Sequence, residues 1–256
     1  MATGNLVHDT RTRGVTTLTL DAPANRNALS SALVGELTER LRAADKDDDA
    51  RAVVLTHTGT TFCAGADLRD PPDPDALVGL LRTIVALRKP VLARIDGHVR
   101  AGGLGLVGAC DIAVASAHAS FAFTEVRIGV APAVISMPLL PRVDPRAAAR
   151  YYLTGERFDA AEAARIGLVT VAAGGADAAD TVDTADTVLE PILDGLRRSS
   201  PQGLAETKKL LTVKVLQALD QDAEALTELS ARLFASDQAR EGMTAFLERR
   251  DPAWVL

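Results

Sequence analysis

Apolar positions in this chain first come as short alternating or continuous runs cut by glycine and proline, and later settle into helical spacing. Residues 15–20 (Val-Thr-Thr-Leu-Thr-Leu) alternate and are rich in β-branched side chains, which predicts a strand; with residues 6–13 they make a hairpin through Gly14. Asp21-Ala22-Pro23 ends it. Residues 25–30 form a loop, Ser30 stands where a helix cap is needed, and Leu33, Leu37, Leu41 and Ala44 share one face of the helix that follows. The acidic run from Asp45 to Asp49 is read as a solvated turn. Residues 51–56 are a buried-type strand leading into residues 61–68, a loop of small residues. Pro71, Pro72 and Pro74 break the chain before a helix at about 75–87. A strand and turn at 90–97 then run into a glycine-bearing loop and a helix of about two turns.

Strand, helix, strand, helix, strand, helix predicts an α/β fold with roughly parallel crossovers. Residues 121–125 alternate and end in an acid, Glu125. Short helices are predicted at 145–153 and at 159–166, the second opened by Asp159 and closed by Gly167. Residues 172–186 read as a loop leading into a helix. The chain is helical from about Ala178 onward, with amphipathic stretches at 222–234 and 238–250 on either side of Ser236.

Composition narrows the function classes. A chain of 256 residues, 47% hydrophobic and 24% charged, has ample core for one large domain or two small ones. A net charge of −6 argues against nucleic acid as the main partner. No apolar run approaches a membrane span, and the first residues lack a basic-then-apolar signal, so a cytoplasmic location is expected. Cys63 and Cys110 sit among small apolar residues and read as reduced packing residues. His8, His57, His98 and His118 show no metal-ligand spacing, so no metal site is expected.

The candidate chemistry centres on residues 100–111, Arg-Ala-Gly-Gly-Leu-Gly-Leu-Val-Gly-Ala-Cys-Asp. A strand, a glycine loop and a helix start form a socket whose unpaired N–H groups attract an anion or an oxygen that turns negative during a reaction. Residues 103–108 also match G-x-G-x-x-G. A dinucleotide site needs a strand feeding straight into that motif and a long crossover helix after it; His98–Arg100 intervene, and the chain turns β-like by Asp111.

Three stretches in order resemble the crotonase family, the enoyl-CoA hydratase/isomerase superfamily: Phe62-Cys63-Ala64-Gly65-Ala66-Asp67-Leu68; Ala101-Gly102-Gly103-Leu104-Gly105-Leu106 with Cys110-Asp111-Ile112-Ala113; and Phe123-Thr124-Glu125-Val126-Arg127-Ile128-Gly129 with Pro132. Arg26-Asn27-Ala28-Leu29 and residues 241–250 add to the likeness. The resemblance implies a crotonase-like spiral of β-β-α units, an α/β core over residues 1–190 with a C-terminal helical trimerisation region over 191–256. It implies an acyl-CoA thioester substrate, no cofactor other than the coenzyme A of the substrate itself, and assembly into homotrimers or hexamers.

By the same resemblance, the amides of Ala66 and Gly102 hold the thioester oxygen as it becomes an enolate, and Glu125 moves the proton. Ala28, Ala64, Asp67 and Leu68 line the coenzyme A, Arg26 meets its phosphates, and Phe246 and Arg249 complete the pocket, often from a neighbouring subunit. Partial burial beside Phe123 and Ile128 is expected to raise the Glu125 pKa. Arg100 is expected to pair with Asp96 or Glu125, the alternative being a carboxylate on the acyl group. One departure stands out: paired-carboxylate hydratases carry their first glutamate at position 105, and this chain has Gly105. That pattern resembles bacterial hydratases of branched glutaconyl-type CoA esters in leucine and acyclic-terpene breakdown. It is equally like the Δ3,Δ2-enoyl-CoA isomerases. Hydration is the leading expectation; isomerisation and non-catalytic acyl-CoA binding are the alternatives.

Overall fold

The computed structural model describes residues 5–174 and 184–256. The hairpin forms as predicted, β1 (Val7–Thr12) antiparallel to β2 (Val15–Leu20). Ser30 accepts a hydrogen bond from Leu33 N and opens α1 (Ser31–Lys46), which buries Leu33, Leu37, Leu41 and Ala44. Three turns of a spiral follow. β3 (Ala52–His57) and β4 (Thr61–Cys63) lead to α2 (Pro74–Ala86). β5 (Val91–Ile95) and β6 (His98–Arg100) lead to α3 (Gly102–Ala109). β7 (Ile112–Ala115) and β8 (Ser120–Ala122) lead through a 3-10 turn (Glu125–Ile128) to α4 (Ala133–Leu139) and α5 (Pro145–Thr154).

Each turn gives one strand to each of two sheets. The larger runs β1-β2-β3-β5-β7 and ends in β10 (Val171–Ala172), parallel from β2 onward. The smaller runs β4-β6-β8 in parallel and ends in antiparallel β9 (Phe158–Asp159), which precedes α6 (Ala160–Arg165). The central strands β3, β5 and β7 of the larger sheet are largely apolar on both faces because both are covered, whereas β1 at the edge is polar and exposed. Val53 and Leu55 join the central core. Ala52, Val54, Leu92 and Val114 lie instead under Leu189 and Leu193 of α7 (Ala185–Arg197). The expected boundary at 190/191 falls inside α7.

Long-range packing changes three local expectations. The amphipathic stretch at 222–234 is the second half of a single 34-residue helix, α8 (Pro201–Phe234), which packs on α2 and α4. Lys208, 4% exposed, ties it down: its Nζ reaches Asp111 Oδ2 at 2.7 Å and donates to the carbonyls of Ile84 and Lys89. The acidic turn after α1 is partly structural, since Asp47 pairs with Arg11 at 2.7 Å. His98–Arg100, read as an interruption, are a strand of the smaller sheet. α9 (Asp237–Glu248) then folds back onto the 3-10 turn that begins at Glu125, with Gly242 close against Ile128. Ala178, where the helical region was expected to begin, and most of the expected loop at 172–186 lie outside the described residues. Among those described, no helix is long and apolar enough to cross a membrane, and no cluster of His, Cys, Asp or Glu could hold a metal. Cys63 and Cys110 are free thiols, buried, which pushes each pKa up to about 12.

Candidate active site

Parallel pairing of β4, β6 and β8 assembles the site. Cys63 stands opposite Val99, and Arg100 opposite Ala122. The three strands therefore end at one edge of the smaller sheet. Within three residues of those ends come Ala66, Gly102 and Glu125.

The two amide loops face each other at close range. A β-carbon on Gly65 would lie 3.3 Å from the Gly102 nitrogen and 2.8 Å from Ala101 Cβ; one on Gly102 would lie 3.6 Å from the Ala66 nitrogen. Gly65 also has φ +95°, so it is the residue that lets these loops meet. Ala101 turns the chain from β6 into α3 with φ +46° and ψ −123°, a sparsely populated conformation for alanine held by its N–H donating to Ala122 O. Neither the Ala66 nor the Gly102 N–H donates to an acceptor among the described residues. Two free amides side by side, one at a helix start, suit an oxygen that gains negative charge.

A third loop braces the first. Ala64 N donates to Arg26 O, Leu29 N to Gly65 O, and Asp67 N to Leu29 O. The loop is shaped by left-handed Arg26 and Asn27, and the fully buried Asn27 side chain donates to the carbonyls of Thr58 and Thr61 while accepting from Ala22 N. Sequence reasoning passed over Asn27 as one residue of a loop; a lone amide between polar neighbours gives no signal of burial. Asp67 spends its carboxylate on Arg69 N and Asn25 Nδ2. Ala28 is buried and Arg26 exposed at the rim.

Glu125 opens the 3-10 turn after β8 and is 7% exposed. Burial raises its pKa to about 7. No cation compensates it: Arg127 turns to the Thr154 carbonyl, and Oε2 has no hydrogen-bond partner among the described residues. The expected pairing of Arg100 with Asp96 or Glu125 does not occur. Its guanidinium donates to the carbonyls of Val99 and Ser120 and to the Ser120 hydroxyl, while Asp96 takes Arg94 at 2.9 Å. β6 and β8 are neighbours, so those carbonyls are nearer than either acid. Burial, with Arg157 close by, lowers the Arg100 pKa to about 10.

Gly105 lies one turn into α3, and a β-carbon there would stand 2.6 Å from Ile135 Cγ2. The place of a second carboxylate is thus closed by an apolar side chain from α4. Tyr152 of α5, which the sequence did not single out, stacks on Phe123 with ring centroids 4.4 Å apart and carries a buried hydroxyl. Phe246 and Arg249 stand at the C-terminal end of α9, Phe246 59% exposed and Arg249 left-handed as the helix cap.

Fold and site together define a protein that sets paired backbone amides against one buried carboxylate. The chain belongs to the enoyl-CoA hydratase/isomerase family, whose model matches residues 10–255. It is similar to a solved enoyl-CoA hydratase from Mycobacterium avium, 53% identical with a TM-score of 0.89 over 98% of this chain and 100% of that one. Among curated relatives it is 32% identical to a mevalonyl-coenzyme A hydratase from Aspergillus fumigatus, over 93% of this chain and 90% of the relative. It is also 32% identical to a 2,3-dehydroadipyl-CoA hydratase from Escherichia coli, over 94% and 95%. The crotonase-like α/β spiral expected from the sequence is the fold observed.

Proposed function

We propose that the protein hydrates the 2,3 double bond of an enoyl-CoA thioester. The observation that carries this reading is the buried, unpaired Glu125 at the strand edge that also delivers the free amides of Ala66 and Gly102. Glu125 takes a proton from water as its oxygen attacks carbon 3. The electron pair moves to the thioester oxygen, where both amides stabilise the enolate, and Glu125 then returns the proton to carbon 2. Each amide is worth about 3–4 kcal/mol of barrier. A carboxyl near pKa 7 suits both directions of transfer.

Arg26, Ala28, Ala64, Asp67 and Leu68 form the coenzyme A side of this site, with Phe246 and Arg249 of a neighbouring subunit closing it. Exposed Leu210, Leu211 and Val213 on α8 and Phe246 and Leu247 on α9 support assembly in threes. Velocity sedimentation showing a stable monomer would remove that part.

Gly105 with Ile135 behind it favours a second reading, Δ3,Δ2 isomerisation, which needs only one base. A panel of 2- and 3-enoyl-CoA thioesters separates the readings by product mass. Gain of water supports hydration, a moved double bond at constant mass supports isomerisation, and binding without turnover leaves an acyl-CoA binding protein.

A further inference from the structure

We infer that Tyr152 is a positioning residue for Glu125: its phenol O–H is the hydrogen-bond donor that holds the Glu125 carboxylate in its ionised, proton-accepting form. The inference rests on the role of Glu125 proposed above.

Glu125 Oε2 and Tyr152 Oη are both buried, and both lack a hydrogen-bond partner among the described residues. A buried polar atom left unpaired is costly, because it has given up water without gaining a partner. The two are chemically complementary, since an ionised carboxylate only accepts and a neutral phenol has a proton to donate. Their elements are neighbours: α5 packs on the 3-10 turn of Glu125, and the Tyr152 ring lies against Phe123, two residues before Glu125. The Ser136 hydroxyl lies beside Tyr152 and donates to Pro132 O at 2.6 Å; its oxygen keeps lone pairs, but its contact with the phenol falls short of hydrogen-bond geometry.

Burial keeps the phenol protonated well above its usual range, opposed by Ser136 and reinforced by the negative charge of Glu125. Tyr152 therefore remains a donor throughout the range in which Glu125 titrates. Charged side chains on the turn and on α5 and α9, which pack against it, face other groups or solvent: Arg127 goes to the Thr154 carbonyl, Arg150 to Glu156, Arg240 to Asp237, and Glu241 and Glu248 to Arg250, while Arg146 is exposed. Tyr152, on α5, is the buried unpaired donor whose hydroxyl feels the charge of the acid. The bond between the two oxygens forms as the carboxylate ionises.

The test is Tyr152→Phe, which keeps the ring on Phe123 and removes only the hydroxyl. Infrared titration of the protonated carboxyl band of Glu125, with Glu125→Gln as the subtracted reference, reads the acid directly and needs no turnover. The Glu125 pKa is expected to rise by about one unit. In a turnover assay the acid limb of kcat/KM moves up with it. Below the limb the rate falls about tenfold, and above it most of the rate returns, with KM little changed. By linkage, the melting temperature should fall above pH 7, where Glu125 is ionised, and stay unchanged below pH 4.5, where it is protonated in both the folded and unfolded chain. An unmoved carboxyl band would overturn the assignment, and so would a melting temperature that falls equally at pH 4.5 and at pH 8, which would give the hydroxyl a structural role independent of the acid. A shifted band in a protein that turns over no enoyl-CoA would keep the pairing and remove the hydratase reading instead.

Discussion

Ala66 and Gly102 bring only backbone to the site, whereas Glu125 brings a side chain, and the chain secures the two by different means. The amides are placed by hydrogen-bonded loops: residues 26–29 pair with 64–67, Asn27 anchors that strap from below, and left-handed Gly65 and Ala101 let the loops meet. Nothing at positions 66 or 102 needs a particular functional group, only a small residue with a free N–H. The carboxylate is placed by burial among apolar neighbours, without a compensating cation, and its chemistry depends on that one group remaining available. The amide half is thus sensitive to backbone geometry, and the acid half to a single atom and its solvation.

The largest expected effect removes the acid. Glu125→Gln keeps the size but not the base, so kcat should fall by about 10²–10⁴ while affinity for an acyl-CoA, measured by calorimetry, stays nearly unchanged. Retained turnover would mean that another group is the base and that the two halves do not divide the work in this way. Next is an insult to the amide half. Gly65→Ala meets Ala101 Cβ at 2.8 Å and an unfavourable φ, and spreads the loops; kcat should drop by about 10² with Glu125 intact. A fully active variant would show that the facing loops carry no charge.

A third measurement reads the acid half through stability. Glu125 binds its proton more tightly folded, at about 7, than unfolded, at 4.5. Its environment costs nothing below pH 4.5; stability is lost as pH rises towards 7 and stays lost above it. Glu125→Gln removes that loss. Denaturant unfolding should find the variant gaining on the wild type between pH 4.5 and pH 8, by up to about 3 kcal/mol. A pH-independent difference would place the carboxyl in water. The smallest effect concerns the closed position. Gly105→Glu alone should destabilise by about 1–3 kcal/mol against Ile135, and pairing it with Ile135→Ala should recover most of this. If the double variant then shifts products towards hydration, the missing carboxylate is what sets the balance.

Much of this protein is legible in one dimension. The strands, the caps at Ser30 and Asp159, and the glycine loops all come from local rules of spacing and turn chemistry. The same local patterns marked two loops of small residues at strand ends and an acid after an alternating run; the likeness to the enoyl-CoA hydratase/isomerase family singled out Ala66, Gly102 and Glu125 within them. Arg100 was misread because charge suggests an acid as partner, while the pairing of β6 and β8 put the carbonyl of Ser120 closer. The full length of α8 emerges only when Lys208 finds Asp111 across 97 positions of chain. Asn27, seen only within a family-like stretch, and Tyr152 carry no sequence signal of their burial, since neighbours, not residue type, give a polar atom its role. Sequence alone named the candidate groups Ala66, Gly102 and Glu125; the tertiary structure decided which polar atoms around them are left without a partner, because hydrogen bonds between distant segments and exclusion of water exist only once the chain is folded.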